Sequence, residues 1–195
     1  MRLETFSDGV FAIAITLLVL EIAVPQVTSD ESLARSLGRE WPSFFGFALS
    51  FVTIGIMWIN HHSMMKDIHR VDHMLLVLNL LLLMGIAFVP FPTAVLAEYL
   101  KEDEQRLTAT LFYGGTFCGI AVFWNAMWYY ASAGRRLIDP HVSDAVLRQR
   151  MLGNLFGPVL YGVGIPLAFI DPWITLGLYV LLDLSYLRPV GNYSL

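Results

Sequence analysis

The sequence predicts an all-α, polytopic membrane protein with six transmembrane helices, and three observations predict it. Hydrophobic residues make up 56% of the 195-residue chain, where a soluble domain has about 45–50%, and mean hydropathy is +0.62. Charged residues are only 14%, against roughly 25% in soluble domains, and they gather between apolar runs. Six of those runs approach the ~20 residues that a helix needs to cross a bilayer.

The first run covers roughly residues 6–24, "FSDGVFAIAITLLVLEIAV", and Pro25 ends it. The second covers roughly 43–60, "SFFGFALSFVTIGIMWIN". The third covers roughly 74–96; Pro90 and Pro92 in "FVPFPT" kink or end it, because proline lacks an amide hydrogen. The fourth, roughly 108–131, and the fifth, roughly 152–170, carry the small-residue patches "YGGTFCG" and "YGVGIP", which suit close helix packing. The sixth covers roughly 172–187 and starts at Asp171-Pro172. Between the first two runs, "SLARSLGREW" fits a small interfacial helix, with Trp41 at headgroup level. No linker resembles a domain boundary and no internal repeat is evident, so residues 1–195 read as one membrane domain. The first run is long enough to span and has no small-residue cleavage site, so no cleavable signal peptide is expected.

Charge and cysteine content narrow the function. The net charge is −4 and no run of Lys or Arg occurs, which argues against a nucleic-acid partner. Cys118 is the single cysteine, so neither an intramolecular disulfide nor a multi-cysteine metal site is possible. With six spans both termini share a side. That side collects Arg2, Lys66, Arg70, Arg135, Arg136, Arg148, Arg150 and Arg188; the other has Arg35, Arg39, Lys101 and Arg106. Cytoplasmic segments are the richer in Lys and Arg, so both termini are expected in the cytoplasm and the acidic "EYLKEDEQ" loop outside.

On a helical wheel with Ile13 at zero, Leu17 falls at roughly +40°, Leu20 at roughly −20°, Thr16 at roughly −60°, Gly9 at roughly −40° and Val24 at roughly +20°. They form one stripe, which suits either a central pathway or ordinary helix–helix contact. Asp8 falls at roughly −140°, on the opposite face. It either caps the helix or belongs to a polar network, with Arg2 and the histidines as candidate partners.

"RLETFSD" fits the pattern R-x-x-x-F-S-D. With "GVFAIAITLLVLEI" after it, this stretch resembles the first helix of the transmembrane protein 175 family. "MWINHHSMMKDIHRVDHMLLVLNLLLLMGIAFVPFPT" is similar to the family's second and third helices. The resemblance is strong from Arg2 to Thr93; beyond that only the six-helix layout matches. It implies a potassium-permeable channel, not an enzyme, with no catalytic residue, no cofactor and K+ as the permeant ion. A single six-helix copy implies a homotetramer in the lipid bilayer, with the first helices lining one central pore. By position, the resemblance makes Ile13, Leu17 and Leu20 the apolar constriction and Thr16 the hydroxyl beside it. It makes Arg2, Phe6, Ser7 and Asp8 the signature that ties this helix to its neighbours. The chain lacks a "TVGYG" filter, so selectivity must arise elsewhere; an apolar ring strips water and penalises sodium more than potassium. Glu21 at roughly +80° suits either the outer vestibule or a subunit contact. A single-repeat length without a lysosomal extension points to a prokaryotic cell membrane.

His61, His62, His69 and His73 fall within thirteen residues. One reading is a hydrogen-bond network joining the second and third helices to the signature, with Trp58 and Asn79 as members. The alternatives are a metal-dependent protein using the His69/His73 i,i+4 pair, and a proton-coupled one using Asp8 and the histidines.

Overall fold

The structure is a computed structural model that describes residues 2–25 and 32–186, and the described residues are helical with no strand. All six expected apolar runs fold as helices. α1 spans Arg2–Leu17 and tightens into a 3-10 turn over Leu18–Glu21, so it stops four residues before Pro25. α2 (Leu33–Arg39) is the short helix expected between the first two runs; the Ser32 side chain caps it by accepting from the Arg35 amide at 3.4 Å. α3 (Trp41–Asp67) begins with Pro42 in its first turn, where a missing amide hydrogen costs nothing.

α4 (His73–Phe88) and α5 (Pro90–Tyr99) are the two halves of the expected third run, joined at Val89 in helical geometry. α6 (Asp103–Ser132) and α7 (Asp144–Ala168) are longer than the sequence suggested, because their polar first turns are also helical. Gly134 at φ 61° and Arg135 at φ 57° turn the chain after α6. The connection then pairs Ile138 with Ile68 as a single bridge.

α8 covers Pro172–Tyr186. Among the described residues five helical segments are long and apolar enough to cross a membrane: Arg2–Glu21, Trp41–Asp67, His73–Tyr99, Asp103–Arg135 and Asp144–Ala168. With 15 residues, α8 rises roughly 22 Å, less than the ~30 Å hydrocarbon layer. Arg188 lies outside the described residues.

α6 is the hub, packed against α4, α5, α7 and α8. Its inner face meets an aromatic cluster: Tyr161 and Tyr179 lie 4.8 Å apart between ring centres, Phe117 and Tyr161 5.4 Å. Two glycines admit this cluster. The Tyr179 ring fills the notch between Gly114 on α6 and Gly164 on α7, and a Cβ on Gly164 would fall 2.6 Å from its Cε1 atom. Gly115, Gly119 and Gly162, in the same small-residue patches, face open space.

α1 sits differently. It packs against α3 and α4, and its 3-10 turn against α3 and α5. Only Ser7, Phe11, Ala14 and Leu18, spaced by three and four residues, are buried in this segment.

Gly164→Ala pushes a methyl group into the Tyr179 ring, so it should cost about 1–3 kcal/mol of stability. Gly162→Ala, two residues away in open space, should be neutral or slightly stabilising. Thermal unfolding in detergent compares the two.

Candidate functional site

The exposed side of α1 carries the stripe. Ile13 is 60% exposed, Leu17 40% and Leu20 73%, whereas Phe11 on the opposite side is 1% exposed and Leu18 fully buried. The 3-10 turn straightens the stripe, because residues three apart eclipse in a 3-10 helix and Leu20 then stands above Leu17. Val24 does not join it: Ile22 is extended and the helix has ended. Thr16 is exposed on this face, its hydroxyl 2.9 Å from the Ile13 carbonyl and 3.0 Å from that of Ala12. The hydrogen is thus held by backbone and the oxygen lone pairs turn outward. Arg2 and Phe6 stand on the same exposed face.

Behind this face, polar groups lock α1 to the bundle. His61 Nε2 donates to Asn79 Oδ1 at 2.9 Å, Asn79 Nδ2 donates to Ser7 Oγ at 3.0 Å, and Ser7 Oγ donates to the Leu3 carbonyl at 3.0 Å. All three side chains are buried. The order of donors fixes the tautomer: the carbonyl end of Asn79 requires the hydrogen on Nε2 of His61. The His61 ring rests against Phe11 at 5.4 Å and edge-on to Trp124 at 6.1 Å. Towards the surface, Trp58 Nε1 donates to Asp8 Oδ1 at 2.9 Å. His62 Nδ1 lies 2.9 Å from Glu4 Oε1 and its ring stacks on Trp58 at 6.2 Å.

At the far end of the stripe, Glu21 lines a cavity of about 320 Å³ with Glu40, Ser43 and Glu98. At the near end, Asp72 caps α4 and gathers the connections. It accepts from the Leu75 amide at 2.9 Å and from the Tyr130 hydroxyl at 2.7 Å, with Arg136 3.7 Å away. Those two bonds, chiefly the amide, hold its carboxyl below the usual carboxylate range.

The chain is similar to known proteins over most of its length. The profile of the family described as "Endosomal/lysosomal potassium channel TMEM175" matches residues 2–90. A potassium channel of Chamaesiphon minutus is 45% identical over 191 residues, covering 95% of this chain and 92% of its own length. The chain belongs to the TMEM175 family. A potassium channel of Streptomyces collinus is 43% identical over 185 residues, covering 95% of this chain and 90% of its own. The crystal structure of a lysosomal potassium-selective channel TMEM175 homolog from Chamaesiphon minutus superposes with a TM-score of 0.88, at 42% identity over 97% of both chains.

The R-x-x-x-F-S-D stretch of this chain divides between the two sides of α1. Ser7 and Asp8 turn inward to Asn79 and Trp58, while Arg2 and Phe6 are exposed and make no side-chain hydrogen bond among the described residues. Asp8 accepts its hydrogen bond from Trp58 rather than from Arg2 or a histidine, with the His61 ring close enough to feel its charge, and it sits one and a half turns into α1, too deep to cap it. The histidines divide too. His61 and His62 lie on α3, which runs on to Asp67; His69 lies in the connection and His73 opens α4. His69 and His73 thus share no helix, and their i,i+4 spacing does not form a metal pair. His69 instead faces Asp139 at 3.9 Å. Among the described residues no three of His, Cys, Asp and Glu converge. Sequence reasoning missed Glu4, whose place one turn before Asp8 on the same side of α1 was the available signal.

Asn79→Ala leaves the buried His61 and Ser7 groups without their partner. It should cost about 1–3 kcal/mol for each, read by thermal unfolding against wild type. Asp72 is held below its ordinary range, so its contribution is complete above that range and is lost as pH falls through the lowered folded value. Asp72→Asn should flatten that part of the acid side of the stability curve.

Proposed function

We propose that this TMEM175 family member is a potassium channel, a homotetramer in which α1 of each copy lines one central pore. The supporting observation is the two-faced α1: one side is sealed against its own bundle, and the other leaves Ile13, Leu17 and Leu20 exposed among the described residues. An apolar stripe of this length faces lipid, a partner or a shared axis. The outward-facing Thr16 oxygen in the same stripe favours the axis, because an exposed lone pair finds no donor in lipid. The potassium channels of Chamaesiphon minutus and Streptomyces collinus, alike over nearly their whole length, support potassium as the ion.

In this reading the chain is one six-span domain of the cell membrane, residues 1–195, with both termini cytoplasmic. The contact of Glu4 with His62 and that of His69 with Asp139 bring the starts of α1 and α4 and the ends of α3 and α6 to one end. Arg2, Lys66, Arg70, Arg135, Arg136, Arg148 and Arg150 gather there, as a cytoplasmic face requires.

The ion's path follows from the stripe. Rings of Leu20, Leu17 and Ile13 offer no oxygen, so a cation sheds part of its water to pass. Potassium holds water less tightly than sodium and is penalised less. Thr16 oxygens replace part of the lost shell beside the ring, and Glu21, with Glu40 and Glu98 around the same cavity, raises the local cation concentration at the outer end. No side chain undergoes chemistry, and the ion itself is the only ligand the mechanism needs.

Leu17→Asn and Ile13→Asn place amides in the constriction. Each should raise cation flux several-fold and lower the potassium-to-sodium ratio. Reversal potentials in planar bilayers under asymmetric potassium and sodium measure this; wild-type values in both variants would remove the ring from the mechanism.

A further inference from the structure

We propose that Asp183 on α8 is a proton-binding site inside each subunit, away from the α1 stripe, and that its proton fastens α8 to α3. Asp183 is 4% exposed. Its Oδ2 lies 2.6 Å from Thr53 Oγ1 on α3, and the same hydroxyl lies 2.9 Å from the Leu49 carbonyl. A hydroxyl has one hydrogen and a carbonyl can only accept. If the Thr53 hydrogen goes to Leu49, the contact with Asp183 needs a hydrogen on the acid. If it goes to Asp183, the acid is a buried anion with a single neutral donor.

The surroundings choose between the two. α8 packs against α3, α6 and α7. The groups that face Asp183 from these elements are Thr53 on α3, Tyr113 on α6 and Tyr161 on α7, with Tyr186 on its own helix. All are neutral hydroxyls, and among the described residues no cation lies against the acid. Tyr113 cannot supply a hydrogen either. Thr93 Oγ1 donates to the Val89 carbonyl at 2.8 Å, so Ser50 donates to Thr93 at 2.7 Å and Tyr113 donates to Ser50 at 3.1 Å. An isolated anion in such a place is costly. The carboxylic acid satisfies both contacts of Thr53 at once.

The site reaches the first helix through α3. Thr53 lies about two turns before His61 on that helix, and α3 carries Trp58, His61 and His62, which hold α1. Losing the proton breaks the bond between α8 and α3, lets water in towards the anion and shifts the element on which α1 rests. This last step rests on the pore proposed above; proton binding itself does not.

Asp183→Asn keeps the donor, because the amide N–H takes the place of the acid O–H towards Thr53, but cannot ionise. An acid that keeps its proton when folded and releases it when unfolded loses stability for the fold as pH rises above the ordinary carboxylate range. Wild-type protein should therefore lose about 5 °C in Tm between about pH 5 and about pH 9 relative to Asp183→Asn. Its infrared spectrum at neutral pH should hold a protonated-carboxyl stretch that the variant lacks. Potassium flux into liposomes should fall several-fold over the same range in wild type and stay level in the variant. Identical pH profiles of Tm in the two proteins, or no carboxyl-band difference, overturn the proton site. Flux that titrates alike in both overturns its link to the pore. If neither protein conducts at any pH, the pore reading fails, and Tm and infrared still decide the site. Thr53→Val is the second variant. Removing the acceptor of the acid's proton should move the pH of half-loss downward, whereas an upward move means Thr53 donates to an anion and overturns the assignment.

Discussion

The hydrogen-bond chain from His61 through Asn79 to Ser7 decides the rotation of α1, and the rest of the site follows from that rotation. Apolar contact alone would fix it loosely, because Leu3, Phe6, Val10, Phe11, Ile13, Ile15 and Leu17 spread over more than half of the α1 circumference. Rotating the helix by one residue would take Ser7 away from Asn79 and leave that buried amide without its partner, at about 1–3 kcal/mol. It would also break Trp58 from Asp8 and His62 from Glu4, which lie on the same flank. The polar groups therefore act as a register key: they cost little while paired and much when misaligned. With Ser7 and Phe11 turned inward, Ile13, Leu17 and Leu20 have nowhere to go but out.

The bundle behind this key is built on a different rule. α6, α7 and α8 pack through rings, Tyr113, Phe117, Tyr161 and Tyr179, fitted into notches at Gly114 and Gly164. Several of its polar atoms pair across helices: Ser50 with Thr93 and Tyr113, Thr53 with Asp183, Thr175 with the Gly164 carbonyl at 3.1 Å, whereas the buried Thr110 Oγ1, Trp128 Nε1 and Tyr179 Oη have no hydrogen-bond partner among the described residues. In a membrane no water is available to replace a lost partner, so paired hydroxyls fix helix positions better than apolar side chains do. The exposed faces of α7, with Leu152, Phe156 and Val159, have no such groups and suit lipid.

Much of this was legible in the sequence, and the reasons for the gaps are physical. The apolar helices announced themselves by hydropathy, and the break at Pro90 by proline chemistry. The stripe was legible because an α-helix has a fixed period; the slip at Val24 came from the 3-10 turn and the end of the helix, which no residue in "LVLE" signals. The ends of α3, α6 and α7 were missed because polar residues such as His61, Asp103 and Asp144 continue a helix once its apolar part is anchored. Asp183 was passed over because one acid near the end of a short apolar run looks like a boundary. Its burial depends on Thr53, 130 residues away in sequence, and such a pairing leaves no local trace.

α3 is the element through which the two rules meet. One of its flanks takes Ser50 and Thr53 into the hydroxyl set of α5, α6 and α8; another carries Trp58, His61 and His62 to the key on α1. α7 and α8 make no comparable contact with α1, so whatever they do to the stripe must pass through α3 or through α4, which holds Asn79. α4 is itself pinned at its start, where Asp72 accepts from Leu75 and Tyr130, and Arg150 binds Asp67 at the end of α3 at 2.6 Å. Both supports of α1 are thus anchored at the same end of the molecule as the key. At the far end, Leu20 and Glu21 stand on a single 3-10 turn that packs against α3 and α5, with Leu18 fully buried. Among the described residues the polar anchors of α1 thus cluster at one end, and apolar contact holds the other, where the exposed stripe meets Glu21.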